Sequence, residues 1–131
     1  MGEVHTSRIR VRYKETDQMK VAYYSNYFVW FEVARAELFR EKSLAYSEIE
    51  RDMGLWLMVI DAQCTYKHPA RYDDLIDIKC KISKMGNSSI SFEYGVFRDE
   101  TLLAEGRTAH VFVDHTGTPK RIPKRIKEGF S

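Results

Sequence analysis

Between positions 3 and 53 the chain has neither glycine nor proline, whereas six of its seven glycines and all three prolines come later. These two residues turn or break a chain, so a long uninterrupted element belongs in the first part and closely spaced turns in the second. The first part carries the pattern for that element. Tyr27, Trp30, Phe31, Ala34 and Leu38 recur at helical spacing, and Phe28, Val29 and Val33 widen the stripe beyond that of an ordinary surface helix. Ser25 and Asn26 are each suited to be its N-cap. A helix apolar on most sides must be wrapped by something.

The second part supplies the wrapping. Met58, Ile60, Ala62, Cys64 and Tyr66 alternate with polar neighbours, as do Ile76, Ile78, Cys80 and Ile82, and then Ile90, Phe92, Tyr94 and Val96. A longer, more apolar strand is expected at about 102–113, with turns at 84–87, 98–100 and 115–117. Ahead of the helix, positions 6–13 alternate Arg8, Arg10 and Arg12 with Ile9, Val11 and Tyr13. That is a strand with one wet face, its arginines protecting a sheet edge rather than tracking phosphates. Ser47 and Glu50 have capping-box spacing for a short second helix that Gly54 would stop. Glu32 with Arg35, and Glu37 with Arg40, are spaced to pair on the first helix. The order β-α-β-β-β-β defines an α+β fold, a five-stranded antiparallel sheet with one long helix, in a single domain over residues 1–131. Long edge strands and an uncovered sheet face predict a homo-oligomer.

With 44% hydrophobic and 31% charged residues the chain can bury a core, which excludes disordered and fibrous classes. No apolar run approaches the roughly 18 to 20 residues of a membrane span, and the first residues lack a secretory pattern, so a cytoplasmic protein is expected. Cys64 and Cys80 form no CxxC and fall on strand positions, where reduced core thiols are the expectation. The net charge of +2 is uneven. Lys120, Arg121, Lys124, Arg125 and Lys127 stand against Glu128 at the C-terminus, which argues against a whole-domain nucleic-acid binder and leaves room for one anionic group.

No nucleophile elbow, phosphate-binding glycine loop, zinc helix motif or EF-hand occurs, and His5, His68, His110 and His115 show no ligand spacing. No metal site or cofactor is expected. The remaining dense constellation joins the first strand to the long helix, Tyr13-Lys14-Glu15-Thr16-Asp17 through Tyr23-Tyr24-Ser25-Asn26-Tyr27. There a carboxylate, Asp17, faces a helix start whose free N–H groups attract developing negative charge. A lone loop aspartate is also at home in an Asx turn, so these residues alone leave both readings open.

The stretch Tyr13-x-Glu15-Thr16-Asp17-x-Met19-x-Val21-Ala22-Tyr23-Tyr24-Ser25-Asn26-Tyr27, followed by Glu32-x-Ala34-Arg35, closely resembles the signature of hot-dog-fold acyl-CoA thioesterases of the 4-hydroxybenzoyl-CoA thioesterase and YbgC-like type. His68-Pro69-Ala70-Arg71-Tyr72-Asp73-Asp74 is similar to that family's turn before its third strand. The resemblance implies a curved sheet wrapped around the helix, dimers that join their sheets and often tetramers, with an acyl-CoA held between subunits. It implies Asp17 as nucleophile or general base and the Tyr24 backbone N–H as the group polarising the thioester carbonyl, with Glu32 as a reserve carboxylate. Tyr23, Ser25 and Asn26 adjoin that site, and Lys84, Asn87 and Ser88, with Lys120 or Arg121, are candidate contacts for the CoA phosphates. Tyr27 and Trp30 are expected to pack in the core. Acyl carrier protein is an alternative carrier of the acyl group. Coenzyme A would be part of the substrate, not a cofactor. Many relatives have glycine where this chain has Lys20, and histidine where it has Tyr24. The alternative within this fold is a binding protein that holds acyl-CoA or acyl carrier protein without hydrolysis. A dehydratase of the same fold would need a histidine at this junction, and none is there.

Overall fold

In the computed structural model, which describes residues 2–130, the elements run β1 (His5–Arg10), α1 (Asn26–Glu41), α2 (Tyr46–Met53), β2 (Trp56–Tyr66), β3 (Leu75–Met85), β4 (Ser89–Arg98), β5 (Thr101–Val113) and α3 (Lys124–Gly129). A 3-10 turn at Tyr13–Glu15 precedes α1. The strands form one antiparallel sheet in the order β1-β3-β4-β5-β2, with α1 against one face, which is the hot-dog arrangement.

The inward residues of β3 and β4 are the ones their alternation marks, Ile76, Ile78, Cys80 and Ile82 with Ile90, Phe92, Tyr94 and Val96, and all are buried. Tyr27, Trp30, Phe31, Ala34, Leu38 and Phe39 of α1 pack onto this surface. Phe31 stacks on Tyr94 with ring centres 4.2 Å apart. The helix comes so near the sheet here that a Cβ on Gly106 of β5 would sit 2.5 Å from the Phe31 ring and 2.7 Å from the Gln63 carbonyl oxygen. Glycine at 106 is therefore a requirement of close approach rather than of a turn.

The two sheet edges differ. On β1 the outward arginines are matched to carboxylates of the same chain, Arg8 to Asp77 at 2.9 Å and Arg10 to Asp73 at 3.6 Å. That satisfies the edge-protecting reading. The strand stops at Arg10, short of the expected Tyr13, because the chain bends into the 3-10 turn. On β2 the expected single alternation is broken. A bulge between Val59 and Asp61 shifts the register, so Leu57 and Val59 lie opposite the buried Phe112 and His110, whereas beyond it Ala62 and Cys64 lie opposite Thr108 and Gly106. Met58 and Ile60 are thereby excluded from the inward set and are exposed, together with Trp56, Val59 and Tyr66.

Other local expectations are corrected as well. Ser25 holds the N-cap position of α1 but makes no capping side-chain bond, because its backbone is already helical at φ −66° and ψ −22°, while the Asn26 side chain is tied to the preceding loop. α2 starts at Tyr46 with Ala45 as N-cap, so Ser47 lies inside the helix and the capping box does not form. Gly54 does end α2, at φ 65°. The basic C-terminal segment is a packed element: α3 buries Ile126, and Ile122 and Phe130 flank it in the core. Phe130 reaches the Phe39 ring at 4.9 Å. Glu37 and Arg40 pair as spaced, at 3.2 Å. Glu32 and Arg35 form no ion pair; Glu32 is exposed and Arg35 turns inward.

Candidate active site

Glu15 organises the loop between β1 and α1. Its carboxylate is buried and accepts the Arg12 backbone N–H at 2.8 Å, the Arg12 guanidinium at 3.2 Å and the Trp30 indole N–H at 3.2 Å. Burial pushes its pKa up, but these donors together outweigh burial and hold it below the ordinary glutamate range. Its backbone carbonyl accepts both the Tyr23 N–H at 2.8 Å and the Asn26 side-chain amide at 2.9 Å. One residue thus ties the loop to the first turn of α1. In the sequence Glu15 stands in a motif without an assigned role, although its spacing from Arg12 is a usable signal.

Asp17 follows in a tight reverse turn. Its N–H donates to the Val21 carbonyl at 3.0 Å, its carbonyl accepts the Lys20 N–H at 2.9 Å, and Thr16 bridges to Ala22. Lys20 completes this turn at φ 61°, a left-handed conformation that glycine adopts without cost. Glycine would be the relaxed residue at this position, and Lys20 holds the turn at some cost. Asp17 Oδ1 accepts the Met19 N–H at 2.8 Å, an Asx turn, while Oδ2 has no partner among the described residues and the side chain is exposed. The Asx turn and an available carboxylate oxygen thus coexist.

The second recognised segment packs beneath this loop. Ala22 N–H donates to the Ala70 carbonyl at 2.7 Å, Tyr72 N–H to the Lys20 carbonyl at 3.1 Å, and the Tyr27 hydroxyl accepts the Ala70 N–H at 3.3 Å. Tyr27 and Trp30 are core residues, as expected.

At the helix start, the Asn26, Tyr27 and Phe28 N–H groups turn back onto carbonyls three residues earlier. The N–H groups of Tyr24 and Ser25 have no acceptor among the described residues. The Tyr24 carbonyl is held by the Tyr66 hydroxyl at 3.0 Å, which fixes the peptide plane from the β2 side. Tyr23 and Tyr24 rings lie 4.7 Å apart, and the Tyr24 hydroxyl, with a smaller contribution from the Asp17 carboxylate, raises the Tyr23 pKa. Nothing in the sequence marks Tyr66 as a site residue, because its place at the end of a strand looks like simple packing.

The structure therefore brings Asp17, Tyr23, Tyr24, Ser25 and Asn26 together. It separates Lys84, Asn87 and Ser88, which sit at the far end of β3, nine strand residues beyond Leu75 and thus roughly 30 Å away. That turn instead backs onto the C-terminal segment, with the Asn87 carbonyl accepting the Ile122 N–H at 2.7 Å and the Ser88 carbonyl the Phe112 N–H at 2.9 Å. Among the described residues no group of three or more His, Cys, Asp or Glu side chains could hold a metal ion, and no helix is long and apolar enough to cross a membrane.

A carboxylate with a free oxygen, in the same loop as unpaired amides at a helix start, offers the parts that acyl-transfer chemistry uses. Residues 11–130 match the family model described as thioesterase-like superfamily, and the chain belongs to that family of thioester hydrolases. It is 31% identical over 124 residues to the acyl-CoA thioester hydrolase YbgC of Escherichia coli, covering 93% of this chain and 92% of that one. Among solved structures, a hypothetical protein from Aquifex aeolicus superposes with a TM-score of 0.92 at 35% identity, covering 97% of this chain and 99% of that one. A DHNA-CoA thioesterase from Staphylococcus aureus superposes at 0.86 and 29% identity, covering 90% and 80%.

Proposed function

We propose that this protein is a cytoplasmic acyl-CoA thioesterase that releases a free acid and CoA, with Asp17 as the reacting carboxylate and the Tyr24 N–H as the donor to the carbonyl oxygen. The observation that carries this reading is the pairing, within one short loop, of a carboxylate oxygen and a backbone N–H that both lack partners among the described residues. Thiolate is a good leaving group, since a free thiol ionises at about pH 8.5, so its expulsion needs little help from a general acid. A site without histidine is sufficient. Asp17 either attacks the thioester carbonyl to form a mixed anhydride or takes a proton from water that attacks it, and both routes put negative charge on the same oxygen. One oriented N–H at that oxygen contributes about 3 kcal/mol in comparable sites.

The working unit is a homodimer formed through β2, itself pairing into a tetramer, each copy contributing one hot-dog domain over residues 1–131. β2 is the sheet edge opposite β1, it carries exposed apolar side chains, and α1 leaves it largely uncovered. Antiparallel pairing of two β2 strands sets the Trp56 end of one against the Tyr66 end of the other. The Trp56 end lies beside Val113, the strand end that Lys84, Asn87, Ser88, Lys120 and Arg121 surround, and the Tyr66 end holds Tyr24. Pairing therefore supplies from a second copy the phosphate contacts that one copy leaves roughly 30 Å from Asp17, with Tyr23, Ser25 and Asn26 next to the acyl group.

The test is hydrolysis of aliphatic and aromatic acyl-CoAs, and of matched acyl carrier protein thioesters, by the wild type and Asp17→Asn. Loss in the variant supports the assignment and undiminished turnover refutes it. No hydrolysis of any thioester by the wild type would favour a binding protein. A single turnover in labelled water distinguishes the routes, since only the anhydride route places label in Asp17. Ile60→Lys should yield monomers in sedimentation.

A further inference from the structure

The proposed hydrolysis uses the Tyr24 N–H, yet the helix start leaves two donors free. The Asn26 N–H turns back onto the Tyr23 carbonyl at 3.0 Å, whereas those of Tyr24 and Ser25 meet no acceptor among the described residues. Consecutive free N–H groups of a first turn point the same way, so one oxygen can take both. The two differ in what lies behind them. The Ser25 N–H shares its peptide unit with the Tyr24 carbonyl, and that carbonyl is filled on both lone pairs, by the Tyr66 hydroxyl at 3.0 Å and the Tyr27 N–H at 3.3 Å. The Tyr24 N–H shares its unit with the Tyr23 carbonyl, which among the described residues accepts the Asn26 N–H alone.

Tyr66 is held in place for that bond. Its ring stands edge-on to Tyr27 at 4.9 Å, and Tyr27 is a core residue whose own hydroxyl accepts the Ala70 N–H. Burial, with Cys64 beside it, pushes the Tyr66 pKa up, so the hydroxyl keeps its proton and donates. Donor and acceptor belong to one chain, so the contact holds whether β2 is a free edge or is paired with a second copy. We propose that Ser25 supplies a second N–H to the thioester oxygen and that Tyr66 is a positioning residue, its hydroxyl polarising the peptide between Tyr24 and Ser25 and strengthening that donor. A hydrogen bond accepted at the carbonyl of a peptide unit draws electron density from its N–H, and the gain counts most where charge develops on the oxygen. This role rests on the hydrolysis reading and extends it from one donor to two.

Tyr66→Phe removes the hydroxyl alone. It should lower kcat about fivefold and leave KM unchanged, because the weakened interaction is one that grows as the oxyanion forms. A meta-fluorotyrosine in place of Tyr66, a stronger donor of nearly the same shape, should raise kcat above the wild type at about pH 6, where it keeps its proton. Mere packing would not respond in that way. Replacing Ser25 by its α-hydroxy acid exchanges the N–H for an ester oxygen, and Tyr66→Phe added to that change should cost nothing more. Base-catalysed exchange of the Ser25 N–H, which follows its acidity, should slow in Tyr66→Phe while that of Tyr24 keeps its rate. Undiminished kcat in Tyr66→Phe, a raised KM in place of a lowered kcat, full additivity with the Ser25 ester or an unchanged Ser25 exchange rate would each overturn the proposal. A wild type that hydrolyses no thioester overturns the hydrolysis reading and this donor with it. Turnover lost in Asp17→Asn but undiminished in Tyr66→Phe overturns the Tyr66 role alone.

Discussion

Two carboxylates stand two residues apart in the loop between β1 and α1, and the fold treats them in opposite ways. Glu15 is sunk under the loop with three donors on its oxygens, whereas Asp17 is exposed with one oxygen in an Asx turn and the other unoccupied. Buried and satisfied, a carboxylate gives rigidity; exposed and half-satisfied, it is available for chemistry. The inner residue thus fixes the loop in which the outer one is presented.

That contrast can be tested at either residue. Asp17→Asn should lower thioester hydrolysis by about a hundredfold or more with folding stability unchanged within about 0.5 kcal/mol, as read by steady-state kinetics and denaturant titration. Glu15→Ala should act first on the fold, costing about 3 kcal/mol of stability because the Trp30 N–H is left buried without an acceptor. If Glu15→Ala were neutral in urea, its role as anchor would be wrong.

Acid should test the anchor directly. Glu15 has a depressed pKa, so its contribution is complete above the unfolded value near 4.3 and is lost as pH falls through the lower folded value. His110, held at about 3 in the folded state, acts over a different window. The unfolded chain binds a proton there below about pH 6.5 and the folded one does not, so stability should fall by about 1.4 kcal/mol per pH unit as pH drops from there. Denaturant titration of His110→Gln across that range should show the slope removed. The smallest effect is at Lys20, where Lys20→Gly should stabilise by about 1 kcal/mol by relieving the left-handed turn, with the Asp17 loop geometry retained.

The features legible in the sequence are those in which pattern and burial share one period. Tyr27, Trp30, Phe31, Ala34 and Leu38 of the α1 stripe and the alternation of β3 and β4 passed into the core because each faces the other across a single packed layer, whereas Val29 and Val33, which widened the stripe in the sequence, are exposed. β2 failed the same reading, since Leu57-Met58-Val59-Ile60 is apolar at every position and leaves no local mark of the bulge that swaps its faces. α3 was hidden by composition, its lysines and arginines outweighing Ile122, Ile126 and Phe130 at helical spacing. In the site, Asp17 and Tyr24 were visible as a loop and a helix start. Glu15 and Arg35 were not, because charged side chains are expected at the surface, and only the finished packing reveals which of them are enclosed.

The placement of β1 bears on how the site comes into being. β3, β4 and β5 follow one another as hairpins, but β1 pairs with β3 across about seventy residues of intervening chain, from Arg10 with Leu75 to His5 with Cys80. Closing so large a loop is slow relative to zipping adjacent strands, so β1 should dock onto a sheet already formed. The Asp17 turn hangs between β1 and α1 and is bridged to Arg71 just before β3. It should thus be assembled late in folding, and pulse-labelled amide exchange should find Ala22 and Tyr23 among the late-protected groups.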